Sequence, residues 1–133
     1  MTPLALDTET TTYNKGHPYD SRNSLVCYSW ASDKYSATNR ANELDILEGL
    51  LTGIDLVVGF NFKFDLHWLT KYGLSTLRSK QIWDVQIAEF ILSNQTHRFP
   101  SLNETCERYG LETKLDVVKT EYWDKGINTD QIP

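Results

Sequence analysis

Two acids stand two residues apart at the end of a short apolar run, where Leu4-Ala5-Leu6 leads into Asp7-Thr8-Glu9-Thr10. On a strand, side chains at i and i+2 share a face, so Asp7 and Glu9 project side by side. Carboxylates held that close repel each other unless a cation lies between them. A hard divalent ion such as Mg²⁺ or Mn²⁺ takes oxygen ligands of this kind. A second apolar run, Leu56-Val57-Val58-Gly59-Phe60, also ends in polar residues, Asn61 and Lys63, with Asp65 just beyond. Asp65 falls in the first turn of the helix expected there, where the positive end of the helix dipole keeps a carboxylate ionised. Two strands that each run into acids or amides at their carboxyl ends place a site along one edge of a sheet, where open α/β sheets bind ligands.

The elements that must position these residues follow from local pattern. Both apolar runs have the continuous character of strands buried on both faces. Thr11 to Asn23 is polar, with Gly16 and Pro18, and predicts a flexible loop. Ser24 to Ser32 predicts a strand, with Lys34 to Thr38 as its hairpin partner across Asp33. Leu44, Leu47 and Leu51 give helical spacing over 41–51, stopped at Gly53, and a further helix runs over 64–72 to Gly73. Gln81-Ile82-Trp83 predicts a short edge strand, after which Asp84 reads as the cap of a helix carrying Ala88, Ile91 and Leu92. Ser101-Leu102-Asn103-Glu104 is a capping box that opens another helix. Leu115, Val118 and Tyr122 mark one more, ended by Gly126. Trp30, Trp68, Trp83 and Trp123 read as core. The class is α/β, in one domain over 1–133.

Bulk properties restrict the function. The chain has 133 residues, 40% of them hydrophobic, enough for a single core. Its two cysteines, Cys27 and Cys106, have no paired spacing, which argues against a disulfide scaffold and for a reducing, cytoplasmic compartment. No run approaches the roughly 20 apolar residues of a membrane span. The net charge of −5 has the wrong sign for a protein that coats nucleic acid with a basic surface. It is compatible with an enzyme whose carboxylates hold cations, because those cations supply positive charge locally.

Leu4-Ala-Leu-Asp-Thr-Glu-Thr10 resembles the first exonuclease motif of the DEDD superfamily, and Val58-Gly-Phe-Asn-Phe-Lys-Phe-Asp65 resembles the second. Trp83-Asp84 with Ala88 to Leu92, and Ser101 to Glu104 with Tyr109-Gly110, resemble the segments that follow. The likeness is to the proofreading domains of family A, phage-type DNA polymerases. It implies an RNase H-like fold, a mixed central sheet flanked by helices. It implies a 3′→5′ exonuclease that removes 5′-mononucleotides from the 3′ end of single-stranded DNA, beside a polymerase domain, in the cytoplasm of a bacterial or phage-infected host cell. Two divalent ions, Mg²⁺ or Mn²⁺ and about 4 Å apart, would flank the scissile phosphate. Asp7 would bridge both, Glu9 would help hold the ion that activates water, and Asp65 would hold the other. Asn61 and Lys63 are implied as contacts to the substrate or its phosphates, and Thr8 and Thr10 as contacts to the terminal sugar.

The family's third motif, a Tyr or His four residues before a fourth acid on a final helix, has no counterpart up to Pro133. Tyr122-Trp123-Asp124 lacks that spacing. The expectation is that this 133-residue chain has little nuclease activity by itself. It is also expected to leave apolar surface on one sheet face, inviting self-association. The rival reading is a catalytically deficient structural or nucleic-acid-binding module of the same fold. A weaker one is an RNA-trimming nuclease.

Overall fold

The computed structural model describes residues 1–96, 98–114 and 117–133. Five strands, β1 (Pro3–Thr10), β2 (Leu25–Ala31), β3 (Ser36–Arg40), β4 (Leu56–Gly59) and β5 (Gln81–Asp84), form one sheet in the order β3-β2-β1-β4-β5. The β1–β2 and β2–β3 pairs are antiparallel, and β1–β4 and β4–β5 are parallel. The helices are α1 (Leu44–Leu51), α2 (Phe62–Lys71), α3 (Val85–Leu92), α4 (Leu102–Arg108) and α5 (Val117–Glu121). The α/β class and the mixed sheet with flanking helices agree with expectation. Val118 lies on α5, while the Leu115 assigned to that helix falls outside the described residues.

β1 sits at the centre of the sheet, but it is not buried on both faces as its apolar start suggested. Leu4, Leu6, Thr8 and Thr10 are buried, whereas Ala5 and Asp7 are exposed and Glu9 is half-buried. β4 likewise buries only Val57 fully. The buried side meets a core of Leu47 and Leu51 from α1, Phe62, Trp68 and Leu69 from α2, and Tyr28 from β2. The other side carries Ser29, Ser36 and Thr38 beside Ala5, Ala31, Val58, Phe60, Val85 and Leu102, while Trp30, paired with Leu6, packs against the core. Between these hydroxyls the surface of that side is largely apolar.

Other departures have local causes. Ser32 and Tyr35 close a turn, with Ser32 N–H donating to Tyr35 O (2.8 Å), so β3 starts at Ser36 and not at Lys34. Trp83 is 54% exposed because β5 is the sheet edge. The loop after β1 is tied down, not loose: buried Asn23 donates to Tyr13 O (2.6 Å) and His17 O (3.0 Å) and accepts from the Thr11 hydroxyl (2.9 Å). Trp68 Nε1 adds a bond to Gly16 O (3.0 Å). α2 starts at Phe62, two residues earlier than the pattern indicated. Gly59 permits this, since a Cβ there would stand 2.3 Å from the Phe62 ring. Asn61 takes the left-handed conformation (φ 52°), which Asn tolerates better than most residues. Cys27 and Cys106 are free thiols, as their spacing indicated.

Candidate active site

Strand alternation turns Asp7 and Glu9 to the same face of β1, opposite Ser29 and Cys27 of β2. Asp7 keeps an exposed edge, but the protein packed around its carboxyl removes part of its hydration and pushes it above its ordinary value, and the Glu9 charge adds to the effect. Lys114 and the Thr8 amide oppose it. The Cys27 thiol is also pushed up, first by burial and then by the Glu9 and Asp7 charges. Negative charge is therefore concentrated on this face.

Asp65 lies in the first turn of α2 and is only 3% exposed. It reaches the same strand end as the other two acids, although it comes 57 residues after Thr8 in the chain. The Thr8 amide donates to Asp65 Oδ1 at 2.8 Å and the Thr8 hydroxyl donates to the same oxygen at 2.6 Å. Burial raises the Asp65 carboxyl to about 7, with the Asp7 charge contributing and the Thr8 hydrogen bonds pulling the other way. All three expected acids thus stand at one end of β1. They do not close on a single point: among the described residues, no three His, Cys, Asp or Glu side chains form a ready metal cluster.

The donor set suits a hard divalent ion. It offers only carboxylate oxygens, and the Glu9 charge makes Asp7 harder to ionise as the Asp7 charge does Asp65, which a cation would relieve. A cationic group already stands there: Lys114 Nζ is 3.5 Å from Glu9 Oε1. No motif in the sequence pointed to Lys114, and its contact joins residues 105 apart.

The expected substrate contacts divide. Thr8, Glu9 and Thr10 line an open cleft of about 490 Å³ with Thr12, Phe64 and Trp123. Asn128 holds one wall of this cleft by accepting from the Thr12 amide (3.0 Å), and Thr129 accepts from Trp123 Nε1 (3.1 Å). Lys63 is exposed and lines a different groove, with Leu66, Ile82, Trp83 and Ile87. The Asn61 backbone amide donates to Asp84 Oδ1 (3.1 Å), which fixes the turn, while the residue itself is exposed. Asp84 does cap α3, accepting from the Gln86 amide (3.0 Å).

Comparison with known proteins adds to this geometry. Residues 1–131 match the model of the 3′–5′ exonuclease family of DNA polymerase A. No curated protein matches the chain. Among solved structures it is similar to the family B DNA polymerase from the hyperthermophilic archaeon Pyrobaculum calidifontis, with a TM-score of 0.66 and 16% identity. That match covers 93% of this chain and 21% of the polymerase, so the chain spans about a fifth of its length. At this identity the likeness is one of fold, and it accords with the RNase H-like architecture. No helix among the described residues is long and apolar enough to cross a membrane.

Proposed function

The chain belongs to the 3′–5′ exonuclease family of DNA polymerase A, and on that premise we propose that it trims the 3′ end of single-stranded DNA as the proofreading domain of a polymerase. The observation that carries this reading is the arrival of Asp65 at the strand end that bears Asp7 and Glu9, through its two bonds from Thr8. Two divalent ions, Mg²⁺ or Mn²⁺, held by Asp7, Glu9 and Asp65, would supply an activated water and neutralise charge on the leaving 3′-oxygen.

The chain's own residues orient the substrate. The cleft beside Glu9 is within the size range of a small-ligand pocket, and Phe64 and Trp123 give it apolar faces for a base. Thr12 is exposed in the same cleft and suits the terminal sugar, whereas the Thr10 hydroxyl is buried and already donates to Thr11 O (3.0 Å). Lys63, exposed on the first turn of α2, is available to a phosphate of the incoming strand. The product is a 5′-mononucleotide.

In a polymerase-length protein, Asp7→Ala is expected to lower trimming of 3′-labelled single-stranded DNA by on the order of 10⁴-fold, because acids of one catalytic unit fail together. Residues 1–133 alone carry three of the four acids that the resemblance implies and are expected to trim poorly. Undiminished trimming by Asp7→Ala, or release of nucleotides from the 5′ end, would refute the assignment.

A further inference from the structure

We propose that Thr8 is a positioning residue for Asp65, fixing the carboxylate that holds a divalent ion, and is not itself a contact to the substrate sugar. The proposal rests on the exonuclease reading above and deepens it.

Alternation along β1 turns Thr8 away from Asp7 and Glu9, into the face shared with Leu6 and Thr10. Its side chain is 6% exposed, and a hydroxyl so buried needs an acceptor. That acceptor is Asp65 Oδ1, which also receives the Thr8 amide. Two donors from one residue onto one oxygen leave the carboxylate little freedom to rotate. The β-branched side chain of Thr8 is itself restricted about its first torsion, so the hydroxyl arrives already oriented. The register between α2 and β1 at the site is thereby set by the residue between the other two acids. A substrate sugar would have to compete with Asp65 for a hydroxyl that already donates at 2.6 Å.

Outer partners of ligating carboxylates typically change metal affinity by about 10- to 100-fold when removed. The amide survives any substitution, so the hydroxyl is the part that can be tested. Calorimetric titration of the 133-residue chain with Mn²⁺ is expected to show Thr8→Val binding about tenfold or more weakly than wild type, and Thr8→Ser restoring most of the affinity. Asp65→Asn should remove the same component, and Thr8→Val added to Asp65→Asn should change nothing further. If the valine variant does not fold, Thr8→Ala carries the same expectation. Wild-type Mn²⁺ affinity in Thr8→Val, with only KM for an oligonucleotide raised in the polymerase-length protein, would make Thr8 a substrate contact and overturn the proposal. Additive losses in the double variant would overturn it too. A wild-type chain that binds no Mn²⁺ would sink the metal-dependent exonuclease reading itself, and this proposal with it.

Discussion

Asp65 follows β4 and Asp84 ends β5, two neighbouring parallel strands, so both carboxylates lie at the same end of the sheet beside a helix start. Their partners differ in kind. Asp84 accepts three backbone amides, from Asn61 (3.1 Å), Phe62 (2.8 Å) and Gln86 (3.0 Å). It pins the turn after β4 and the start of α3 at once. Asp65 accepts the amide and hydroxyl of Thr8 with a smaller pull from its own amide, lies deeper, and faces the charge of Asp7. A carboxylate surrounded by amides is compensated by the fold. One buried among other acids is not, and it gains its compensation from a bound cation. The first arrangement marks a joint and the second marks a site.

Substitution should separate the two. Asp84→Ala leaves three amides without their acceptor, and hydrogen bonds to a charged group contribute about 1.5–3 kcal/mol each before solvent makes good part of the loss. The expected destabilisation is about 3 kcal/mol, measured by urea denaturation. A loss below about 1 kcal/mol would reduce Asp84 to an ordinary helix cap and weaken the contrast.

Asp65→Asn should act in the opposite direction. Burial raises the folded carboxyl to about 7 from a reference of 3.8, so the folded chain binds the Asp65 proton more tightly than the unfolded chain does. Stability from this group is therefore fully present below the unfolded value and is lost as pH rises toward 7. Asparagine removes that loss and can still accept from Thr8. In metal-free buffer the variant should be more stable than wild type by about 2 kcal/mol at pH 8, with the difference fading toward pH 4. Thermal melts at both pH values check it. An Asn variant less stable than wild type at pH 8 would mean that Asp65, like Asp84, is held mainly for structure.

How far the sequence carried this contrast depends on the range of the interactions. Asp7 and Glu9 were legible because a period of two needs only one strand, and Asp84 as a cap because Gln86 is two residues away. The grip of Asp84 on Asn61 and Phe62 was not legible, since it spans 22 and 23 residues and exists only once β4 and β5 pair. Thr8 was expected to meet a sugar, because nothing local says that a helix will deliver a carboxylate to it. Lys114 had no signal for the same reason. The half-open β1 was hidden by Ala5, whose small side chain completes an apolar run without being buried.

The smallest effect tests how the Asp84 joint divides its labour. Serine is as good an N-cap as aspartate, so Asp84→Ser can keep the bond from the Gln86 amide that starts α3. Its shorter side chain carries one oxygen and cannot also reach the Asn61 and Phe62 amides on the other side. Asp84→Ser should therefore recover only about 1 kcal/mol of the stability lost in Asp84→Ala, the usual worth of a cap. Equal stability of the serine and alanine variants in urea would assign the whole effect to the turn that launches α2. Full recovery by serine would leave that turn with no need of Asp84, and the carboxylate behind β5 would then differ from Asp65 only in lacking a second acid beside it.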